Sequence, residues 1–200
     1  MRLFVAVVPP PAALAELAAV LRPLRARPDA QPLRWTPAET WHLTLTFLGE
    51  VDADALPELE RRLARAARRH EAHRLRFAGG GRFGGRALWA GVHGDTLALR
   101  RLAESVQAAA RRTGLEVDDD RPYRAHLTLA RSGVPRGGDR RAGPDLRGLK
   151  AALDDFEGLE WEVAEVRLVQ SLLGGGPARY TVLGSWPLGR PVAGPDSAPE

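Results

Sequence analysis

The tetrapeptide His-Leu-Thr-Leu occurs twice in this chain, at residues 42–45 and again at residues 126–129. Only five histidines are present in 200 residues, so the repetition is not a by-product of composition. An imidazole titrates near neutrality, and a pair can therefore hold opposite protonation states, one ready to accept a proton and one to donate it. A threonine hydroxyl can donate a hydrogen bond to an anionic oxygen. One imidazole and one hydroxyl from each side of a cleft would grip a tetrahedral phosphate and move protons at its opposite ends. In-line displacement at phosphorus needs that arrangement: a base for the attacking water and an acid for the leaving oxygen. No metal is required when an acid protonates the leaving group. A histidine metal site is the competing chemistry, but the chain has no His-x-His, no His-x-x-x-His and no carboxylate at a matched place in both motifs. Nor is there a Gly-x-Ser-x-Gly elbow, a P-loop or a dinucleotide fingerprint.

Side chains alternate across an extended strand, so His42 and Thr44 would share one face while Leu43 and Leu45 share the other. His126 and Thr128 stand in the same relation to Leu127 and Leu129. Each motif is expected on a strand with an apolar side for a core: residues 41–48, ended by Gly49, and residues 123–130. Around them the pattern predicts a strand at 3–8 and a helix opened by Pro9, Pro10 and Pro11 with Leu14, Leu17, Ala18 and Leu21 inward. A proline-containing connection spans 28–37. Asp52 is expected to cap a helix that buries Leu56, Leu59 and Leu63 and turns Arg61, Arg62, Arg65, Arg68 and Arg69 to water.

Strands follow at 74–77 and 87–92, separated by a glycine-rich turn at 79–85. Asp95 starts a helix with Leu97, Leu99, Leu102 and Val106 inward, which stops near Gly114. After a Gly/Pro/Arg-rich loop at 132–143, the pattern predicts a short helix at 146–153 and strands at 162–168 and 179–183, joined across 174–176. Mixed strands and helices argue for an α+β protein with largely antiparallel sheets. The two motifs fall in similar contexts, so two similar lobes with approximate two-fold symmetry are expected, in one bilobal domain over residues 1–188. The Pro/Gly/Ala-rich tail at 189–200 is expected to be disordered. His70, His73 and His93 lie outside the repeated pattern; the first two are expected to be solvated and the third to sit at a turn.

Composition is ordinary for a soluble globular chain, with 44% apolar and 27% charged residues. Without cysteine there are neither disulfides nor thiolate metal sites, which fits a reducing compartment. The first apolar run is too short for a signal sequence and no stretch reaches membrane length, so a cytoplasmic protein without membrane contact is expected. The net charge of +4 is carried almost entirely by arginine, with Lys150 the one lysine. That balance suits a polyanionic partner such as RNA. A codon bias toward Ala, Arg, Gly and Pro is the stronger reading of it.

The surroundings of the motifs carry a family resemblance. Arg34-Trp35 and the run Trp41-His42-Leu43-Thr44-Leu45-Thr46-Phe47-Leu48-Gly49-Glu50 resemble the 2H phosphoesterases, as does Asp120-Arg121-Pro122-Tyr123-Arg124-Ala125-His126-Leu127-Thr128-Leu129-Ala130-Arg131. Within that superfamily the chain is most similar to the bacterial and archaeal RNA 2′,3′-cyclic phosphodiesterases, formerly described as 2′-5′ RNA ligases. The opening Arg2-Leu3-Phe4-Val5-Ala6, the stretch Leu88-Trp89-Ala90-Gly91-Val92 and the ending Tyr180-Thr181-Val182-Leu183 support the narrower likeness, which covers residues 2–188.

The resemblance implies a bilobal α+β fold with helices outside, both motifs lining a central cleft, and hydrolysis of a terminal 2′,3′-cyclic phosphate to a 2′-phosphate without a cofactor or metal. It implies His42 as the proton donor to the departing 3′ oxygen, His126 as the acceptor that activates water, and Thr44 and Thr128 as phosphate ligands. The residues alone do not say which histidine is acid and which is base. Arg131 matches a family arginine near the phosphate. Strand parity sets it on the leucine face, so it reaches the site only if the strand twists or ends at Ala130, and a surface arginine is the alternative. Phe4 and Trp35 are candidates for stacking on a base, or else core aromatics. The expected partners are RNA 3′ ends bearing the cyclic phosphate or small cyclic nucleotides, met by a monomer. A non-catalytic RNA-end binder is the alternative from a different class. Any preference for longer RNA would come from arginines beside the cleft, with Arg131, Arg124 and the loop residues Arg136, Arg140 and Arg141 as first candidates.

Overall fold

A computed structural model describes residues 1–117, 122–133, 144–172 and 178–189. The first strand, β1 (Arg2–Val7), is an apolar run buried from Leu3 onward, and Pro10 and Pro11 open α1 (Pro11–Arg25). Pro11 at the first helical turn costs nothing, since its missing N–H would have no partner there. Leu17, Leu21 and Leu24 form the buried stripe, which persists across Pro23. The proline-containing connection holds a short strand that the pattern does not reveal, β2 (Leu33–Trp35). The first motif lies at the start of β3 (Leu43–Glu50), with His42 immediately before it. The strand begins later than expected and passes through Gly49, which takes a positive φ of 68°. Then come α2 (Leu56–Ala67), β4 (His73–Phe83), β5 (Ala87–Gly94) and α3 (Thr96–Arg111).

β6 (His126–Ser132) carries the second motif, followed by α4 (Arg147–Ala151), β7 (Trp161–Val163), β8 (Glu165–Leu172) and β9 (Arg179–Pro187). The single strand expected at 162–168 is thus two strands in two different sheets. Sheet orders are β3-β1-β8-β9 and β2-β6-β5-β4-β7, and every pairing is antiparallel. α2 and α3 pack on the four-stranded sheet, whereas α1 and α4 pack on β4 of the five-stranded one. One buried cluster joins residues of both sheets, among them Leu3, Val5, Leu43, Leu75, Leu88 and Leu127. The α+β class and the paired antiparallel sheets match the expectation. The two sheets are not two consecutive halves of the chain, however. β8 and β9 complete the sheet begun by β1 and β3, while β2 joins the other.

Several local expectations are corrected. Residues 79–83 are strand, not turn; the reversal comes at Gly84, with φ 59°. Gly81 is needed for close approach instead, because a β-carbon there would run into the Trp89 indole. Neither Asp52 nor Asp95 makes a side-chain cap. The Asp95 carboxylate accepts from the Arg74 backbone N–H at 3.1 Å instead. Leu97 is exposed rather than inward. His73 is buried, and His70 Nε2 meets Ser105 Oγ at 2.8 Å, so neither is simply solvated. The loop residues 134–143, the junction 173–177 and the tail 190–200 lie outside the described residues, and with them Asp120, Arg121, Arg136, Arg140 and Arg141.

Candidate active site

The two motif strands approach each other where the sheets meet, with β3 touching β6. His42 feels the charge of both His126 and Arg131 across that junction. The structure therefore brings both histidines and Arg131 together, with Thr44 and Thr128 two residues along their strands.

A shared irregularity shapes both strands. On β3, Thr46 pairs with Val5 and Thr44 with Ala6, so Leu45 has no opposite residue. On β6, Ala130 pairs with Leu88 and Thr128 with Trp89, so Leu129 has none. Each motif thus carries a β-bulge at its final leucine, and a bulge reverses side-chain parity beyond it. Leu127, Leu129 and Ala130 are accordingly all buried, while Thr128 is half-buried and Arg131 exposed. The bulge swings Arg131 onto the His126 and Thr128 face, against the simple alternation that would set it with the leucines. On β3 the equivalent position is Phe47, which is 62% exposed.

Each imidazole is held the same way. His42 Nδ1 lies 2.8 Å from the Thr40 carbonyl oxygen, and His126 Nδ1 lies 2.8 Å from the Arg124 carbonyl oxygen. A carbonyl only accepts, so both Nδ1 atoms carry hydrogen and donate, which leaves Nε2 of each ring as the proton-exchanging atom. Each ring also has two aromatic walls. Phe4 stacks on His42 at 4.7 Å between centroids and Tyr180 meets it edge-on at 5.4 Å. Phe83 and Trp89 stand edge-on to His126 at 5.1 and 6.0 Å. The Arg124 guanidinium lies 4.5 Å over the Trp89 ring. Burial behind these walls lowers the pKa of both histidines below the usual imidazole value, and the Arg131 charge lowers both further.

Phe4 is buried beneath His42 and packs against Tyr180, so it is a support for the imidazole and not a platform for a base. Trp35 pairs with the buried Ala130, packs against the core and carries the Arg25 guanidinium at 5.1 Å from its ring. It lies on the opposite face of its strand from Arg34, away from the histidines. Tyr180, Phe83 and the two carbonyls that orient the rings are the site groups that sequence reasoning missed. Only the packing of distant segments reveals the two rings, whereas each carbonyl lies just two residues before its histidine. A recess of about 520 Å³ is lined by residues that include Trp89, Gly91, His93 and Arg124, and neither histidine of the motifs lines it.

Two half-sites of one design, each a histidine and threonine on a bulged strand of its own antiparallel sheet, define a 2H-type phosphoesterase. The "LigT like Phosphoesterase" family model matches residues 7–92 and 95–178. The chain belongs to the LigT-like phosphoesterase family and is a phosphodiesterase, a hydrolase. The Thermus thermophilus RNA 2′,3′-cyclic phosphodiesterase is 34% identical, with 100% of this chain and 99% of the relative covered. That of Aeropyrum pernix is 33% identical over 71% of this chain and 78% of its own. Among solved structures, apo LigT of E. coli superposes with a TM-score of 0.71 at 26% identity, covering 94% of this chain and 98% of the other. A LigT complex with 3′-AMP gives 0.72 at 27% identity over the same shares.

Proposed function

We propose that the enzyme hydrolyses the 2′,3′-cyclic phosphate at an RNA 3′ end to a 2′-phosphomonoester by metal-independent acid–base catalysis between His42 and His126. The observation that carries this reading is the matched pair of Nδ1–H donations to backbone carbonyls, which gives each ring a free Nε2. His126 Nε2 takes a proton from the attacking water as the new P–O bond forms. His42, protonated on Nε2, gives its proton to the 3′ oxygen as the P–O3′ bond breaks in line. Solvent exchange then restores both rings. Thr44 and Thr128 hydroxyls donate to the non-bridging oxygens, and Arg131 offsets the charge that builds on them. The names of the relatives and the nucleotide complex of LigT support an RNA-end substrate. The exposed Phe47 offers the ring for a base that Phe4 does not. We read residues 1–188 as one bilobal unit, supported by the buried cluster that spans both sheets.

Turnover of an oligonucleotide with a 2′,3′-cyclic phosphate in excess EDTA tests the proposal. Undiminished release of a 2′-phosphate is expected. Turnover only with added metal, or binding without turnover, would overturn it.

A further inference from the structure

β2 and β6 pair so that Arg34 stands directly opposite Arg131. Directly paired residues of an antiparallel ladder share a face, and like charges placed opposite one another are destabilising. Both arginines are exposed, and among the described residues no carboxylate pairs with either. Three of the six other strand arginines are compensated, Arg74 by Glu160, Arg76 by Glu157 and Arg167 by Glu165. Arg131 is also the cation whose charge reaches both catalytic histidines. Arg34 therefore extends the positive charge of the reaction centre by one strand spacing, about 4.8 Å, onto β2. An uncompensated cross-strand pair of this kind becomes favourable once an anion with several acceptor oxygens lies between the two guanidinium groups.

We infer that Arg34, acting with Arg131, binds the phosphate on the 5′ side of the terminal nucleotide, the next phosphate along the chain from the cyclic one. The inference rests on the proposed cyclic phosphodiesterase reading and deepens it. The preferred substrate class becomes a nucleic acid end, or a 5′-phosphorylated cyclic nucleotide, ahead of a cyclic nucleotide with a free 5′ hydroxyl.

The test compares kcat/KM for an adenosine 2′,3′-cyclic phosphate with and without a 5′-phosphate, and for a dinucleotide ending in the same group. Wild-type enzyme should prefer the 5′-phosphorylated forms. Arg34→Ala and Arg34→Gln should each reduce that preference ratio about tenfold, the scale of one charge-assisted contact, and Arg34→Lys should restore part of it. The slope of log kcat/KM against log salt for the dinucleotide should become shallower by about 0.7 in Arg34→Ala. Removing one of two facing like charges should leave the thermal midpoint equal or higher, which separates lost recognition from lost folding. A ratio unchanged in both variants, or an equal loss on all three substrates, would overturn the role of Arg34 while leaving the phosphodiesterase reading intact. Wild-type turnover of none of the three would overturn both.

Discussion

At the residue scale, the two histidines are alike in everything but their neighbours. Both donate Nδ1–H to the carbonyl two residues back, both have aromatic walls and both have a lowered pKa. In the proposed mechanism, replacing either with alanine removes one end of the proton transfer. His42→Ala and His126→Ala should each reduce kcat by about 10²–10⁴. Thr44→Ala and Thr128→Ala remove a single donor and should cost less than the histidine changes. A histidine variant with near-normal turnover of the cyclic phosphate would refute the assignment. The pH dependence carries its own sign. With both imidazoles held below their ordinary value, the bell of kcat/KM should have its maximum on the acid side of 6.5, its limbs belonging to the coupled pair. Arg131 is one cause of that lowering, so Arg131→Gln should move the whole bell to higher pH while lowering its height. A bell that stays in place would show that burial alone sets the values.

At the element scale, the bulges matter more than the strands they interrupt. Without the one at Leu129, Arg131 would lie on the buried side among Leu127 and Leu129. With it, the cation lies on the face of His126 and Thr128 while both leucines stay in the core. Both motif strands bulge at the same motif position, so the two half-sites share geometry as well as composition. The glycine-rich β4 plays a different part. Gly81 lets the Trp89 indole lie against the backbone, and Trp89 in turn walls His126. Gly81→Ala should force that ring away, at about 1–3 kcal/mol of stability, with a fall in kcat. A Gly81→Ala enzyme with wild-type Tm and kcat would show that the indole has room to yield and that His126 does not depend on it.

At the scale of the whole molecule, the chain interlocks its two sheets by changing partners. α1 follows a strand of the four-stranded sheet but packs on β4 of the five-stranded sheet. α3 follows β5 of the latter and packs on β3 of the former. A single residue, Ala164, between β7 and β8 carries the chain from one sheet to the other. The site lies at the junction that this interlocking holds, so folding and active-site burial are linked. His42, His126 and His70 all have folded-state values below the unfolded one, chiefly through burial. The unfolded chain then binds more protons, and stability rises with pH until the unfolded value near 6.5 is passed. Thermal midpoints should therefore fall as pH is lowered from 7.5 through 6.5 and below. His42→Ala and His126→Ala should each flatten that fall. A midpoint independent of pH across this window would contradict the linkage.

The doubled His-Leu-Thr-Leu was enough to put both motifs at strands, because a two-residue period sets His and Thr on one face wherever the strand pairs. The α+β class, the inward leucines of α1 and α2 and the strands at both motifs were legible for the same reason: apolar spacing is a local property. What was not legible depends on partners distant in sequence. Nothing local tells that Gly80 and Gly81 are strand, since their close neighbours are Leu153 and the Trp89 ring, both distant in sequence. Nothing near Ala164 tells that the chain changes sheets there. Local alternation placed Arg131 on the wrong face because the bulge at Leu129 exists only in the ladder with β5. Phe4, proposed for a base, is covered by Tyr180 from the far end of the chain. The residue types proposed for the chemistry stand at fixed local spacing; which groups face one another was decided by backbone pairing and packing between segments that only the folded chain brings together.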